Sequence, residues 1–171
     1  MNVIDYIVAS MAQVNLVMIQ DVKPLTPAQL AWKPQPGANS IGFIFWHYMR
    51  AEDNVLHGIA KKPAVWEDEK WYEKYGMDAK RGAAGFTPEQ VDAVSALPLA
   101  LHMAYAERVA RTPEECLRTL SDAQLLDLPD PVSHPHGTHE ANIRSFLVGH
   151  GWWHIGEIKY LKGLQGMPFF K

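Results

Sequence analysis

The 171-residue sequence contains one cysteine, Cys116, so no intramolecular disulfide can form, and a reducing compartment is the expected setting. Positive charge is also scarce: 16 Lys and Arg face 19 Asp and Glu, for a formal net charge of -3, and the basic residues are scattered. That pattern gives no electrostatic footprint for nucleic acid or an anionic membrane. No run approaches the roughly 18 uninterrupted apolar residues that read as a spanning helix. The opening MNVIDYIVASMAQ carries Asp5 and lacks the basic start of a signal peptide. These absences predict a cytoplasmic protein with neither nucleic acid nor membrane as partner. Internal repeats, low-complexity tracts, phosphate-cradling loops and dinucleotide fingerprints are missing as well.

What is present is ordinary globular material, 47% hydrophobic and 20% charged. A chain of this length forms one domain, residues 1-171, able to bury roughly 70% of its unfolded surface. Residues 2 to 21 place Ile4, Ile7, Met11, Val14 and Met18 at steps of three and four, the seam of an amphipathic helix, which Pro24 ends. Thr26 and Pro27 suit the start of a short turn before the Pro34–Gly37 stretch breaks regularity. Asn39 or Ser40 can cap a second helix over 41–60, where Ile44, His47, Ala51 and Asn54 share a face. A connection of about 26 residues follows, too long for a simple loop. Its Trp66, Trp71, Tyr72 and Tyr75 need a surface to pack on, which argues for order. The TPEQ motif at 87–90 is a capping box that opens a third helix extending to about Leu120, with Pro98 and Pro113 as points of kinking or restart. Thr138 caps the last helix, closed by Gly163, Gly166 and Pro168. The expected fold is all-α, a four-helix bundle with a long crossover connection between helices 2 and 3.

On the last helix Ile143, Leu147, His150, His154, Glu157 and Leu161 follow one seam, so two imidazoles replace core residues. A pair four residues apart projects from successive turns and can offer two nitrogens to one cation. His47 is the best third ligand, because it too lies on an apolar face, whereas His57 sits near a helix end. The structural alternative is three hydrogen-bonded core histidines. Against it stands cost, since buried imidazoles need partners and one cation serves all three. Glu157 is a supporting acceptor, a further ligand or a solvated residue. His134, His136 and His139 in SHPHGTH form a competing set, read as a solvated loop, and His102 is a reserve ligand. Cys116, with no histidine nearby in sequence, reads as an inert thiol.

Three stretches, LTPAQLAWKPQPGANSIGFIFWHYMRAED, VWEDEKWYEKYGMD with the following GFTPEQV, and HGWWHIGEIKYLKGLQGMP, occur in an order and spacing that resembles the DinB-like superfamily of metal-binding four-helix proteins, in its branch of small bacterial members. The resemblance covers nearly the whole chain. It implies that His47 on the second helix and His150 and His154 on the fourth bind a divalent ion. The position matching Glu157 is often glutamine in such relatives, so the resemblance gives its carboxylate no catalytic role. Some relatives resemble transferases or isomerases that use a low-molecular-weight thiol such as bacillithiol or mycothiol.

Three histidines leave coordination positions open, which suits a catalytic ion, Zn or Ni by ligand type. The leading expectation is a metal-dependent thiol transferase acting on a small-molecule electrophile. A non-enzymatic metal-binding or ligand-binding bundle and a metal-hydroxide hydrolase are the alternatives. Trp46, Trp152 and Trp153 either wall a pocket or serve packing, and the segment Trp66 to Tyr75 is expected to shape the electrophile's site. The apolar surplus of the first and third helices predicts a homodimer.

Overall fold

A computed structural model describes residues 2–127 and 137–168, and every regular element among them is helical. The first helix, α1 (Val3–Val22), starts at Asn2, whose side chain accepts the Asp5 amide. Its seam is built as the sequence implies: Met11, Val14 and Met18 are fully buried. By length and mean hydropathy (1.4) α1 could cross a membrane. Its buried face, however, is built into the core against the other helices, which is how a core helix of a folded domain behaves. A short α2 (Pro27–Ala31) begins with a Thr26–Gln29 capping box and Pro27 in its first turn.

The second long helix, α3 (Ile41–Ala60), is capped by Ser40, which accepts the Phe43 amide at 3.1 Å. It occupies the centre of the molecule. The crossover connection carries two short helices, α4 (Val65–Asp68) and α5 (Trp71–Tyr75). Trp66, Trp71 and Tyr75 are all buried in the main hydrophobic cluster, with Trp66 packed edge-on against Trp46 at a centroid distance of 5.9 Å. The aromatic surface thus does order the connection. It does so as core, so Trp66 and Trp71 do not wall a substrate site.

The expected single third helix is three pieces: α6 (Pro88–Ser95), α7 (Leu99–Val109) and a π-helical turn, Pro113–Leu117. The breaks fall at the prolines. Pro98 has no amide to donate and adopts an extended ψ of 137°, so α7 starts afresh after it. Two further elements were not expected. Ser121 and Gln124 form a capping box on α8 (Asp122–Leu125), and the last helix is not regular. It comprises α9 (His139–Asn142), capped by Thr138, a π-helical segment Ile143–Gly149, and α10 (His150–Leu164). Thus α-helical geometry resumes at His150, the first residue of the histidine pair.

α3 touches α1, α2, α4, α6, α7, α10 and both π-helical segments, and α1 lies along α10. Gly151 makes the α10 approach possible. A Cβ built there would sit 2.4 Å from Val14 Cγ1 and 2.8 Å from Tyr48 Cε2, which no relaxed contact allows. The residue between the two histidine turns is therefore glycine because α10 runs so close to α1 and α3 at this level. Gly151→Ala is expected to cost about 1–3 kcal/mol by overpacking, and to weaken metal binding by pushing His150 and His154 away from α3. Urea denaturation and a metal titration of the variant check both effects.

Candidate metal centre

His47 projects from the middle of α3, and His150 and His154 from successive turns at the start of α10. The structure brings these three together: one potential ligand nitrogen of each lies within 4.8 Å of the other two. Ring centroids are 5.4 Å apart for His47 and His150, 5.1 Å for His47 and His154, and 4.1 Å for His150 and His154. All three side chains are half-buried, at the edge of the helical core rather than sealed within it.

Each ring is oriented from outside the cluster. His47 Nδ1 donates to the carbonyl of Ala83 at 2.8 Å, which fixes the tautomer and leaves Nε2 with its lone pair. The long connection therefore does reach the site, through one backbone carbonyl. His154 Nδ1 lies 2.6 Å from Glu157 Oε2, one turn along α10. His154 Nε2 and His150 Nδ1 are buried without a hydrogen-bond partner. Orphaned buried nitrogens are costly, and a cation roughly 2 Å from each ligand atom would satisfy them. Burial, aided by the neighbouring imidazoles, pushes both His150 and His154 down to about 4. At neutral pH both rings are uncharged, the form that ligates. The residues present thus fit a divalent ion by donor type, proximity and protonation state.

The other histidines are accounted for differently. His102 is fully buried, with Nε2 against the Val94 carbonyl at 3.1 Å and Nδ1 against the Tyr75 hydroxyl at 3.2 Å, so it is a satisfied core residue rather than a reserve ligand. His57 stays apart from the cluster. His134 and His136 lie outside the described residues, and His139 opens α9. Trp46 is core, while Trp152 and Trp153 point outward at 45% and 70% exposure.

Two features escaped sequence reading. Cys116 does have a histidine beside it: His57, whose Nδ1 contacts Asp53 Oδ1 at 3.0 Å. Cys116 is only 1% exposed, so the arrangement is sealed from substrates. The second is Asp53 itself, which accepts the Val65 amide (2.8 Å), the Trp66 amide (2.9 Å) and the Tyr105 hydroxyl (2.7 Å). Residues 12 to 52 positions apart supply those donors, so no local pattern announces them.

A family model for the DinB superfamily matches residues 15–158, a span that includes all three histidines. The chain belongs to the DinB superfamily. A crystal structure of a conserved protein from Enterococcus faecalis superposes with a TM-score of 0.81 at 20% identity, covering 95% of this chain and 96% of that one. At that identity the likeness establishes the shared all-helical fold. No curated protein matches the sequence.

In this DinB-superfamily chain Glu157 touches the histidine cluster through His154, whose ring its carboxylate orients. Removing such a carboxylate partner typically weakens metal affinity 10- to 100-fold. Glu157→Ala is expected to lose affinity in that range, whereas Glu157→Gln, whose amide oxygen still accepts from Nδ1, stays close to the parent. Competition with a chromophoric chelator measures both.

Proposed function

We propose that the protein is a metal-dependent enzyme that holds one divalent ion, zinc or nickel, through His47, His150 and His154, and that it delivers a low-molecular-weight thiol to a small electrophile. The observation that carries this reading is the three-imidazole cluster without a fourth grouped protein donor among the described residues, at a half-buried position that an outside ligand can reach. A divalent ion in such an open set supplies Lewis acidity that lowers the pKa of a thiol or water beside it. The chain's own part is orientation. The Ala83 carbonyl fixes the His47 tautomer, Glu157 holds His154, and the buried seam beneath excludes water from the inner side of the cluster. In the reaction the thiol loses its proton to solvent, its sulfur bonds the electrophilic carbon, and the leaving group departs with the electron pair.

A metal-hydroxide hydrolase would use the same open set, and the comparison below with and without thiol separates the two. We further propose a cytoplasmic homodimer. Among the described residues the large exposed apolar side chains cluster on α1 (Tyr6, Leu16) and α10 (Trp153, Tyr160), not on α6 and α7, and light scattering reads the state directly.

The test compares metal-loaded protein, His154→Ala and buffer in the conjugation of an aryl halide with several biological thiols. Acceleration by the loaded protein alone, for at least one thiol, is the expected result. Equal rates with every thiol, together with a cobalt-substituted site whose spectrum no thiol perturbs, would replace the reading by a non-enzymatic binding module. Ester hydrolysis without any thiol would replace it by the hydrolase.

A further inference from the structure

Two concavities stand out on the surface. The larger, about 340 Å³, is lined by Tyr75, Met77, Arg81, Phe86 and Gln90, among others, and includes neither the three histidines nor Glu157. The smaller, about 220 Å³, is lined by Pro34, Ala38, Asn39, Ile44, Glu157, Tyr160 and Leu161. Its relation to the histidine cluster is direct. Glu157 belongs both to its wall and to the hydrogen bond that holds His154. Ile44 lies one helical turn before His47 on α3, and Tyr160 and Leu161 lie about two turns beyond His154 on α10. The groove therefore lies beside α3 and α10 between the level of the histidines and the loop between α2 and α3, with Glu157 as the link to the cluster.

We propose that this groove holds the body of the small molecule that reacts at the histidine cluster, and that it selects an uncharged or cationic molecule over an anionic one. The inference rests on the metal-centre reading above and adds to it a place and a chemical class. Four of the seven lining residues, Pro34, Ala38, Ile44 and Leu161, offer apolar surface. Of the polar ones, neither the Asn39 carboxamide nor the Tyr160 hydroxyl has a partner among the described residues, so each can orient a ligand's hydroxyl, carbonyl or amine. The lining carries one carboxylate and no cation. A carboxylate or phosphate ligand would face Glu157 with no arginine or lysine in the lining to pair it, and the charge of an ion at the histidines is already met by the thiolate at its open position, so desolvating the like-charged pair is unfavourable. The volume is below the roughly 300–1,000 Å³ of sites for drug-sized ligands, which points to a small ring or short chain.

The experiment separates the groove from the chemistry. Ligand-observed NMR of the metal-loaded protein saturated with 2-mercaptoethanol, so that the ion's open position cannot take a carboxylate, reads groove occupancy with benzyl alcohol and with 4-(hydroxymethyl)benzoate. The cobalt-substituted protein titrated with 2-mercaptoethanol reads the open coordination position. Benzyl alcohol is expected to bind at least tenfold tighter than the benzoate. Ala38→Trp, which fills the groove, is expected to weaken benzyl alcohol at least tenfold while metal content and the cobalt response to 2-mercaptoethanol stay within twofold. Asn39→Lys, an exposed change that spares the core, is expected to reverse the preference toward the benzoate, and so tests charge selection even if the tryptophan variant folds poorly. Equal binding of the two alcohols, or no effect of either substitution, overturns the groove proposal while leaving the centre intact. Groove binding with a cobalt spectrum that no thiol perturbs overturns the thiol chemistry and keeps the groove.

Discussion

Asp53→Ala is expected to destabilise the protein by about 3–5 kcal/mol, the range for removing one partner from a buried charged network. The carboxylate is fully buried, accepts from two consecutive backbone amides and from Tyr105, and pairs at 3.0 Å with His57, whose Nδ1 donates to the Asp53 carbonyl. The Val65 and Trp66 amides are the first turn of α4, so Asp53 fastens the crossover connection onto α3. Alanine leaves both amides and the tyrosine hydroxyl buried without acceptors, and each orphan adds to the loss. Tryptophan fluorescence, to which the buried Trp66 and Trp46 contribute, follows the unfolding transition in urea. A loss below 1 kcal/mol would mean that burial of Trp66, Trp71 and Tyr75 alone holds the connection.

The same network gives stability a pH dependence with a definite sign. Burial would raise the Asp53 carboxyl, but hydrogen bonds from His57, Tyr105 and the Trp66 and Val65 amides outweigh it and hold the group below its ordinary value. Its contribution is present above the ordinary carboxylate pKa, near 4, and disappears as pH falls through the lower folded value. His57 behaves oppositely. Burial opposes its charge, yet hydrogen bonds to Asp53 and Cys116 push it up to about 10. Its contribution is complete below about 6.5, the ordinary histidine value, and is lost as pH rises through about 10. Stability from this pair is greatest between those limits, and Asp53→Ala flattens the alkaline decline because His57 keeps the backbone carbonyl but loses the carboxylate that favours its charge.

The parts of the fold legible in the sequence are those that obey local rules. The Ile4-to-Met18 seam of α1, the Ser40, Thr87 and Thr138 caps and the prolines at first-turn positions each involve residues a few positions apart, and each forms as expected. The histidine cluster was legible for the same reason: residues 150 and 154 are one turn apart, and His47 lies on an apolar face of a strongly periodic helix. The illegible parts are long-range or non-periodic. Nothing around Asp53 signals that it will meet amides of residues 65 and 66. Glu52 is fully buried with its carboxyl pushed up to about 8 by burial, against the pull of the hydrogen bond that Asn15 donates and of the nearby Tyr48 hydroxyl, although a glutamate on a helix reads as solvated. The Ile143–Gly149 π-segment has no composition of its own, yet it sets the phase at which His150 enters the seam. The crossover aromatics showed that the connection would be ordered, but not which side of the core they would join. That depended on Trp46, Tyr105 and Arg50, the last of which stacks its guanidinium 5.0 Å from the Trp66 ring.

Loss of any one of the three clustered histidines is expected to abolish stoichiometric metal binding, whereas loss of His102 leaves it intact. Three imidazoles are the whole protein ligand set grouped here among the described residues, so removing one leaves two neutral donors and more open positions than a tightly held ion tolerates. His47→Ala is the sharpest case, because it takes the only ligand that α3 provides and separates the contribution of the α10 pair from that of the assembled site. His102→Ala is the necessary control: it cuts a buried side chain bonded to Tyr75 and Val94, and so costs stability without touching the cluster. Metal content is measured by elemental analysis of protein purified without a histidine tag, and thermal unfolding is followed with and without chelator. A ligand held at about 1,000 times its Kd stabilises the folded state by about 4 kcal/mol, so the parent is expected to lose several degrees on chelation. His47→Ala, His150→Ala and His154→Ala are expected to show no chelator effect, and His102→Ala to show the full one from a lower starting temperature. Full metal content in His47→Ala would assign the ion to the α10 pair with a donor other than α3, and the site would have to be redrawn around Glu157.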